Sequence, residues 1–320
     1  MSRYLTRRLL SMLLVLLVAV TLSFAIVHAL PGDPVEQMLD GTVGGVQATP
    51  EQKAALRHEL GLDRPIAEQY LTFLGHALLG DFGRSISSGQ PTVEAIADAA
   101  PASFALLAVA LPLSLLLGVG VAVVGTLARG RGLRGALSAL TVLGVSMPGY
   151  WLGIVLIETL SFRLPLFPAT GDDGFRSLVL PAVTLAVPSA GLIAQVLRGS
   201  LRATLAEPYV TTALAKGASP ARVNLRHALR NAALPAVTVF GMLVGGLMGG
   251  ATIVEIVFGR PGLGRLLVTA VAQRDLTVVQ AMVVFVGAAY ILINLVIDLL
   301  YSWLDPRVTA VGGRSDERMA

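Results

Sequence analysis

Six apolar stretches, at 9–30, 102–127, 136–160, 178–197, 234–258 and 278–304, constrain this chain more than anything else in it. A bilayer core about 30 Å thick needs roughly 20 apolar residues per helix, and each stretch meets that length. Lipid leaves no water to satisfy an open backbone, so the expected fold is all-α and integral to the membrane, with six transmembrane helices. The composition agrees: 54% of the 320 residues are hydrophobic and only 14% are charged, against about 25% charged in soluble domains. Pro148, Pro181 and Pro188 fall inside the third and fourth stretches, where kinks are expected.

The first stretch has a rival reading. Arg3, Arg7 and Arg8 precede it, and Val27-His28-Ala29 resembles a signal-peptidase site. Its length exceeds the usual 7–15 residues of a signal-peptide core, which favours a retained helix. Orientation follows from the Lys and Arg of the loops. The amino terminus, 128–135, 198–233 and the carboxyl tail together hold 15, and the segments on the opposite side hold 9. Both termini are therefore expected in the cytoplasm. The basic residues are placed by loop, which fits membrane orientation and not nucleic-acid binding. The largest outer segment, 31–101, has ten acidic residues against four basic ones. One or two short helices are expected in it, with Thr49-Pro50-Glu51 as a start. It reads as a solvated loop or as a contact surface for an external partner.

The domain expectation is then an amino-terminal helix and outer segment (1–101), a five-helix core (102–308) with a loop at 198–233, and a tail (309–320). Catalytic chemistry is scarce. There is no Cys, and the four His are scattered without metal-ligand spacing. The stretch 259–266, GRPGLGRL, has the glycine spacing of a phosphate loop but lacks its Lys and hydroxyl, so a tight turn is the better reading. Three acids fall inside spans: Glu158, Glu255 and Asp298. An intramembrane acid is a functional suspect by default. A water-reaching or ion-paired structural role and a proton or substrate pathway both remain open. Gly241, Gly245, Gly246, Gly249 and Gly250 form overlapping small-xxx-small patterns, suited to packing within the chain or to a seam with another subunit.

The loop 198–233 contains a defined elbow, EPYVTTALAKGASP (207–220). Pro208 suits a first helical position, Lys216 a last turn, Gly217 a left-handed terminator, and Ser219-Pro220 the cap and start of another helix. Tyr209, Thr212, Ala213 and Lys216 share one helical face; Val210, Leu214 and Ala215 lie opposite. Beyond it Arg222, Arg226 and Arg230 recur at spacing four, a basic stripe for lipid headgroups or an acidic partner. The pattern suits a knob that docks into a socket.

At this point TTALAKGASPARVNLRHALRNAALP (211–235) resembles the cytoplasmic EAA loop of ABC-transporter permeases, in the dipeptide/oligopeptide/nickel branch of bacterial importers. RYLTRRLL at the start, LPGDP (30–34), GLDRPIAEQY, GDFGRS, FGRPGLGRLL and LDPRV are similar to the same branch, so the resemblance runs to about residue 308. Two departures stand out. Thr211 replaces the acidic first residue of the general motif, and the Leu-Pro unit comes late, at 234–235, after His227-Ala-Leu229-Arg230.

The resemblance implies a type I ABC importer permease fold, with a mostly helical extracytoplasmic insert after the first helix, in the bacterial inner membrane. It implies no enzyme activity in this chain, which binds no cofactor; ATP and Mg²⁺ would sit on partner subunits. It implies a coupling helix, with Glu207, Tyr209, Thr211, Thr212, Ala213, Lys216, Gly217 and Ser219 at the ATPase contact. Implied partners are a second homologous permease, one or two ATPase chains, an extracytoplasmic peptide-binding protein and membrane lipid, with no nucleic acid. The implied cargo is a di- or oligopeptide; the same scaffold also carries nickel or other small solutes. An ion-gradient-driven secondary transporter, working through the three acids, is the competing expectation. An intramembrane hydrolase would need a nucleophile–base pair that the sequence does not offer.

Overall fold

The computed structural model describes residues 2–29, 49–59 and 63–304. Among these the chain is helical, and the sole β-type pairing is an isolated bridge between Arg84 and Pro91. The LPGDP stretch and the 309–320 tail lie outside the described residues. The chain divides into two compact units, one from described parts of 1–100 and 266–292, the other from 101–265 and 293–308.

In the first unit, α1 (Ser2–Ala29) carries the first apolar stretch. Two short helices follow, α2 (Pro50–Glu59) and α3 (Ile66–Leu78). The start expected at Thr49 is a capping box: the Thr49 hydroxyl accepts from the Gln52 backbone N–H at 3.3 Å, and the Gln52 side-chain Oε1 accepts from the Thr49 N–H at 3.0 Å. The α3 helix leans on the end of α1. Phe24 meets Tyr70 edge-on with ring centroids 5.3 Å apart, and Thr21 and Tyr70 share a 2.7 Å hydroxyl hydrogen bond. The 84–91 turn is tied down by Asp275, which is buried. Its carboxylate accepts from the Ser85 hydroxyl at 2.5 Å and from the Ser87 hydroxyl and N–H at 3.0 and 3.1 Å. The same side chain caps the last helix by accepting from the Val278 N–H at 3.2 Å.

The helices of the second unit include several that run past the ends of the apolar stretches. They are α4 (Thr92–Leu127, beginning in the first unit), the pair α5 (Arg131–Ser146) and α6 (Gly149–Leu156), α7 (Gly174–Leu205) and α8 (Pro208–Ala215). Then come α9 (Pro220–Val257) and the start of α10 (Leu263–Ala272), whose remainder belongs to the first unit, as does α11 (Leu276–Leu304) up to residue 292. Four helices are long and apolar enough to cross a membrane among the described residues, and a fifth span results if α5 and the helix after it count as one. The Leu10–Ala25 part of α1 is a shorter apolar helix.

The third expected span is not one straight rod. It breaks at Met147-Pro148, where both residues are extended, and its halves meet at 110°. The second half ends in a π-helical turn, Ile157–Arg163. By contrast Pro181 and Pro188 lie within the continuous α7.

Helix α7 is the hub. Two-thirds of its apolar window is buried, against a third or less for the other spans. Ala182, Ala186, Ala190 and Ala194, four residues apart, are all buried and form a narrow stripe. Neighbouring backbones come close: a Cβ at Gly191 would sit 3.0 Å from the Thr141 carbonyl oxygen, and one at Gly118 would sit 2.8 Å from Ile193. One hydrophobic cluster joins Leu106, Leu180, Leu185, Leu247 and Phe258; a second joins Ala122, Leu197, Leu201, Ala228 and Ala232.

Candidate functional site

The elbow sits at the tip of two helices that run past the expected spans. Helix α7 continues to Leu205, and α9 begins at Pro220, so most of 198–233 is helix. At 1.5 Å per residue, the 32 residues of α7 extend about 48 Å, well over the roughly 30 Å hydrocarbon core.

Between them α8 is built as its residues dictate. Glu207 is extended at the N-cap and Pro208 follows at the first helical position. The far end is a Schellman motif. The Ala218 N–H donates to the Ala213 carbonyl at 3.2 Å, and the Gly217 N–H donates to the Leu214 carbonyl at 2.9 Å. Gly217 has φ +86°, the left-handed conformation this closure requires. Ser219 then caps α9, its hydroxyl accepting from the Arg222 N–H at 3.3 Å.

The helix is held by few contacts. Val210 is buried, while Glu207, Tyr209, Thr211, Thr212, Leu214, Lys216, Gly217 and Ser219 are exposed and Ala213 is half-buried. The two-faced division expected from helical spacing therefore holds only at Val210; Leu214 and Ala215 face outward as well. The Tyr209 hydroxyl accepts from the Asn231 amide at 3.2 Å. Beneath, α9 opens with a π-helical segment, Val223–Ala228. It buries Asn224, whose amide donates to the Thr126 hydroxyl at 2.9 Å. Arg222, Arg226 and Arg230 are exposed, as the stripe requires. The result is a short, tightly terminated helix on a packed Ala/Leu base, with a mixed aromatic, hydroxyl and cationic surface.

The three intramembrane acids part company. Glu158 is exposed and pairs with Arg163 at 3.0 Å across the π-helical turn. The side chain of Asp298 lies outside the described residues. Glu255 is fully buried and hydrogen-bonded on both oxygens. One accepts from the Ser103 hydroxyl at 2.5 Å, and the other from the N–H groups of Gly264 and Arg265 at 2.8 and 3.2 Å. Ser103 in turn accepts from the Leu263 N–H at 2.8 Å. The carboxylate thus fills the anion site at the start of α10, which a phosphate would take in a nucleotide-binding loop.

The glycines of the FGRPGLGRLL stretch follow from that seat. A Cβ at Gly262 would collide with the Glu255 carboxylate, and one at Gly264 with Thr252. Arg260, also buried, donates to the Asp172 carboxylate and, at 3.3 Å, to the Gly171 carbonyl. Neither Ser103 nor Asp172 stands out in the sequence, and Arg260 shows there only as part of the FGRPGLGRLL stretch, an Arg inside a glycine-rich turn five residues after an acid.

The glycine stripe of α9 splits by face. A Cβ at Gly250 would press on Leu185 at 3.1 Å, so that glycine serves packing within the chain. Gly246 and Gly249 face open space, beside the exposed Met242 and Ile253. Gly241 and Gly245 are half-buried. Among the described residues, no three His, Asp or Glu side chains gather as metal ligands.

Comparison with known proteins adds a second line of observation. The family model described as binding-protein-dependent transport system inner membrane component matches residues 110–310, and the model of its amino-terminal region matches 1–107. A glutathione transport system permease protein GsiC of Salmonella choleraesuis is 38% identical over 308 residues, covering 96% of this chain and 99% of that protein. The GsiC of Escherichia coli K12 is 36% identical over the same length. Among solved structures, the inward-facing MetNI methionine ABC transporter matches with TM-score 0.57 at 20% identity, over 67% of this chain and 98% of that one. At that identity the likeness shows the fold alone.

Proposed function

Since the chain belongs to the family of binding-protein-dependent transport system inner membrane components and is a permease subunit of an ABC importer, we propose that the 207–219 elbow is the element through which ATPase subunits drive it. The permease performs no chemistry of its own. Its family works with ATPase and binding-protein subunits. ATP and Mg²⁺ bind on the ATPase subunits, whose closure pulls the elbow. That pull tilts α7 and α9, and the path alternates between outward- and inward-facing states. The observation that carries this reading is the geometry of α8. A helix closed by a Schellman motif and exposed on nearly every side transmits force only if a partner surrounds it.

The rest of the assembly follows. Both termini and the elbow lie in the cytoplasm, as the 15-to-9 distribution of basic residues supports. The acidic 31–101 segment faces the binding protein. The open face of α9, with Met242, Gly246 and Gly249, meets a second homologous permease. The cargo is a small peptide of the class to which the relatives' glutathione belongs; ion-gradient coupling through Glu158, Glu255 and Asp298 is the competing mechanism.

The chain has no Cys, so Thr212→Cys carries a single thiol. In membranes containing all subunits, a short thiol–amine crosslinker at that position should capture an ATPase chain. Capture by lipid or by nothing, with the ATPase present in the purified assembly, would overturn the docking assignment.

A further inference from the structure

At the elbow end of the second unit lies a cavity of about 300 Å³ lined by Gly125, Thr126, Arg134, Arg202, Leu205 and Ala206. Arg198 adjoins it: a Cβ on Gly125 would lie 3.6 Å from the Arg198 Cδ. The Arg134 and Arg202 charges both act on Arg198 electrostatically. Two of the three guanidinium groups are positioned by hydrogen bonds, Arg134 to the Ala128 carbonyl at 2.8 Å and Arg198 to the Ser138 hydroxyl. A guanidinium has five N–H donors, so most remain to be used. Among the described residues no carboxylate forms an ion pair with any of the three. Arg134 and Arg202 are exposed at the cavity and Arg198 is half-buried beside it, so three neighbouring cations without a counter-charge leave a positive potential there that attracts an anion.

The depth of the cavity says which anion. On α7 the only charges flanking the apolar segment are Arg176 and Arg198, and the 21 residues between them carry none. That segment is about 32 Å long, matching the roughly 30 Å hydrocarbon core. Arg198 therefore stands at the headgroup layer, about 15 Å along the chain axis before Pro208. Leu133 and Leu140, on the helix that carries Arg134, are exposed and offer apolar surface beside the charges.

We propose that this cavity binds the phosphate of an anionic phospholipid headgroup, held by Arg134, Arg198 and Arg202. Arginine matches phosphate oxygens through its planar fork of donors, and basic pockets between helix ends on one side of a membrane suit such headgroups. The occupied site would brace α5 against α7 directly beneath the elbow.

The test uses the complete transporter in nanodiscs of phosphatidylcholine with phosphatidylglycerol, read by native mass spectrometry after mild activation. Wild type should retain phosphatidylglycerol. Arg202→Gln, at an exposed site in the last turn of α7, should lower that retention about fivefold, and Arg134→Gln/Arg202→Gln about 30-fold. Phosphatidylcholine retention should not change, and Arg202→Lys should retain more than Arg202→Gln. Equal phosphatidylglycerol retention in wild type and the double variant would overturn the proposal. So would displacement of the lipid by millimolar inorganic phosphate, which would make a free anion the ligand. Loss of the ATPase subunit from the double variant, with its lipid retention unaltered, would assign the arginines to a partner carboxylate instead.

Discussion

Gly217 permits a clean test of the elbow because a Cβ there meets no atom within 4 Å, while its φ is +86°. A substitution therefore adds no collision and charges only the backbone. Left-handed backbone costs an ordinary L residue roughly 1–2 kcal/mol, a β-branched residue more, and Asn the least because it visits this region readily. A local cost of 1–2 kcal/mol changes a two-state ratio by a factor of about 5–30. The affected equilibrium is the closed end of α8, which Val210 alone anchors by burial. The apparent affinity of a partner falls with the competent fraction.

Gly217→Val should thus weaken ATPase-subunit binding by about 3–15-fold where the closed end is only marginally favoured, Gly217→Ala less, and Gly217→Asn least. Membrane insertion should be unchanged, since the buried base of Leu197, Leu201, Ala228 and Ala232 is untouched. The assay is titration of the ATPase subunit onto permease in nanodiscs, with cargo uptake per ATP hydrolysed in proteoliposomes as the functional readout. Unaltered binding and uptake in Gly217→Val would refute the reasoning. Equal loss in Asn and Val variants would also refute it, because the order depends on backbone preference alone.

Two further predictions follow from buried carboxylates. Glu255→Gln can keep its amide oxygen on the N–H groups of Gly264 and Arg265, but its NH2 then faces Ser103, whose hydroxyl proton loses its acceptor, and the charge at the start of α10 is gone. The permease should be destabilised by about 1–3 kcal/mol. Ser103→Ala should act on the same network, so thermal melting of the double variant in detergent should show less than the sum of the two losses. For Asp275, burial pushes the carboxyl pKa up, but hydrogen bonds from the Ser85 hydroxyl and from backbone N–H groups of Ser87, Val278 and Ile86 outweigh it, leaving the pKa lowered. A depressed folded-state pKa gives stability that is fully present above the unfolded carboxylate value and is lost as pH falls through the folded one. Melting between neutral and acidic pH should show that loss in wild type and a flatter profile in Asp275→Asn; parallel profiles would exclude the linkage.

Much of the local structure was legible because it depends on neighbours in the chain. Pro208, Gly217 and Ser219 sit where helix-end chemistry puts them, and Thr49 caps its helix through Gln52, three residues on. Proline shows where that legibility stops. Pro148 is exposed at a break, whereas Pro181 is buried and Pro188 half-buried within one continuous helix. The residue type is the same, but neighbours packed around α7 hold the helix through its prolines and nothing comparable encloses residue 148.

The long apolar runs, the elbow and the family resemblance were thus fixed by sequence alone, because lipid solvation and helix-end hydrogen bonding act over a few residues at a time. Tertiary structure decided what the intramembrane acid and the glycines are for. Ser103 meets Leu263 across 160 positions, and Glu255 finds its backbone donors only when α10 folds back upon α9. It also decided which glycines pack against this chain and which face outward, and it gathered Arg134, Arg198 and Arg202 at one cavity. Such contacts depend on how helices cross, and a crossing is set by side-chain packing between segments that one-dimensional spacing does not relate.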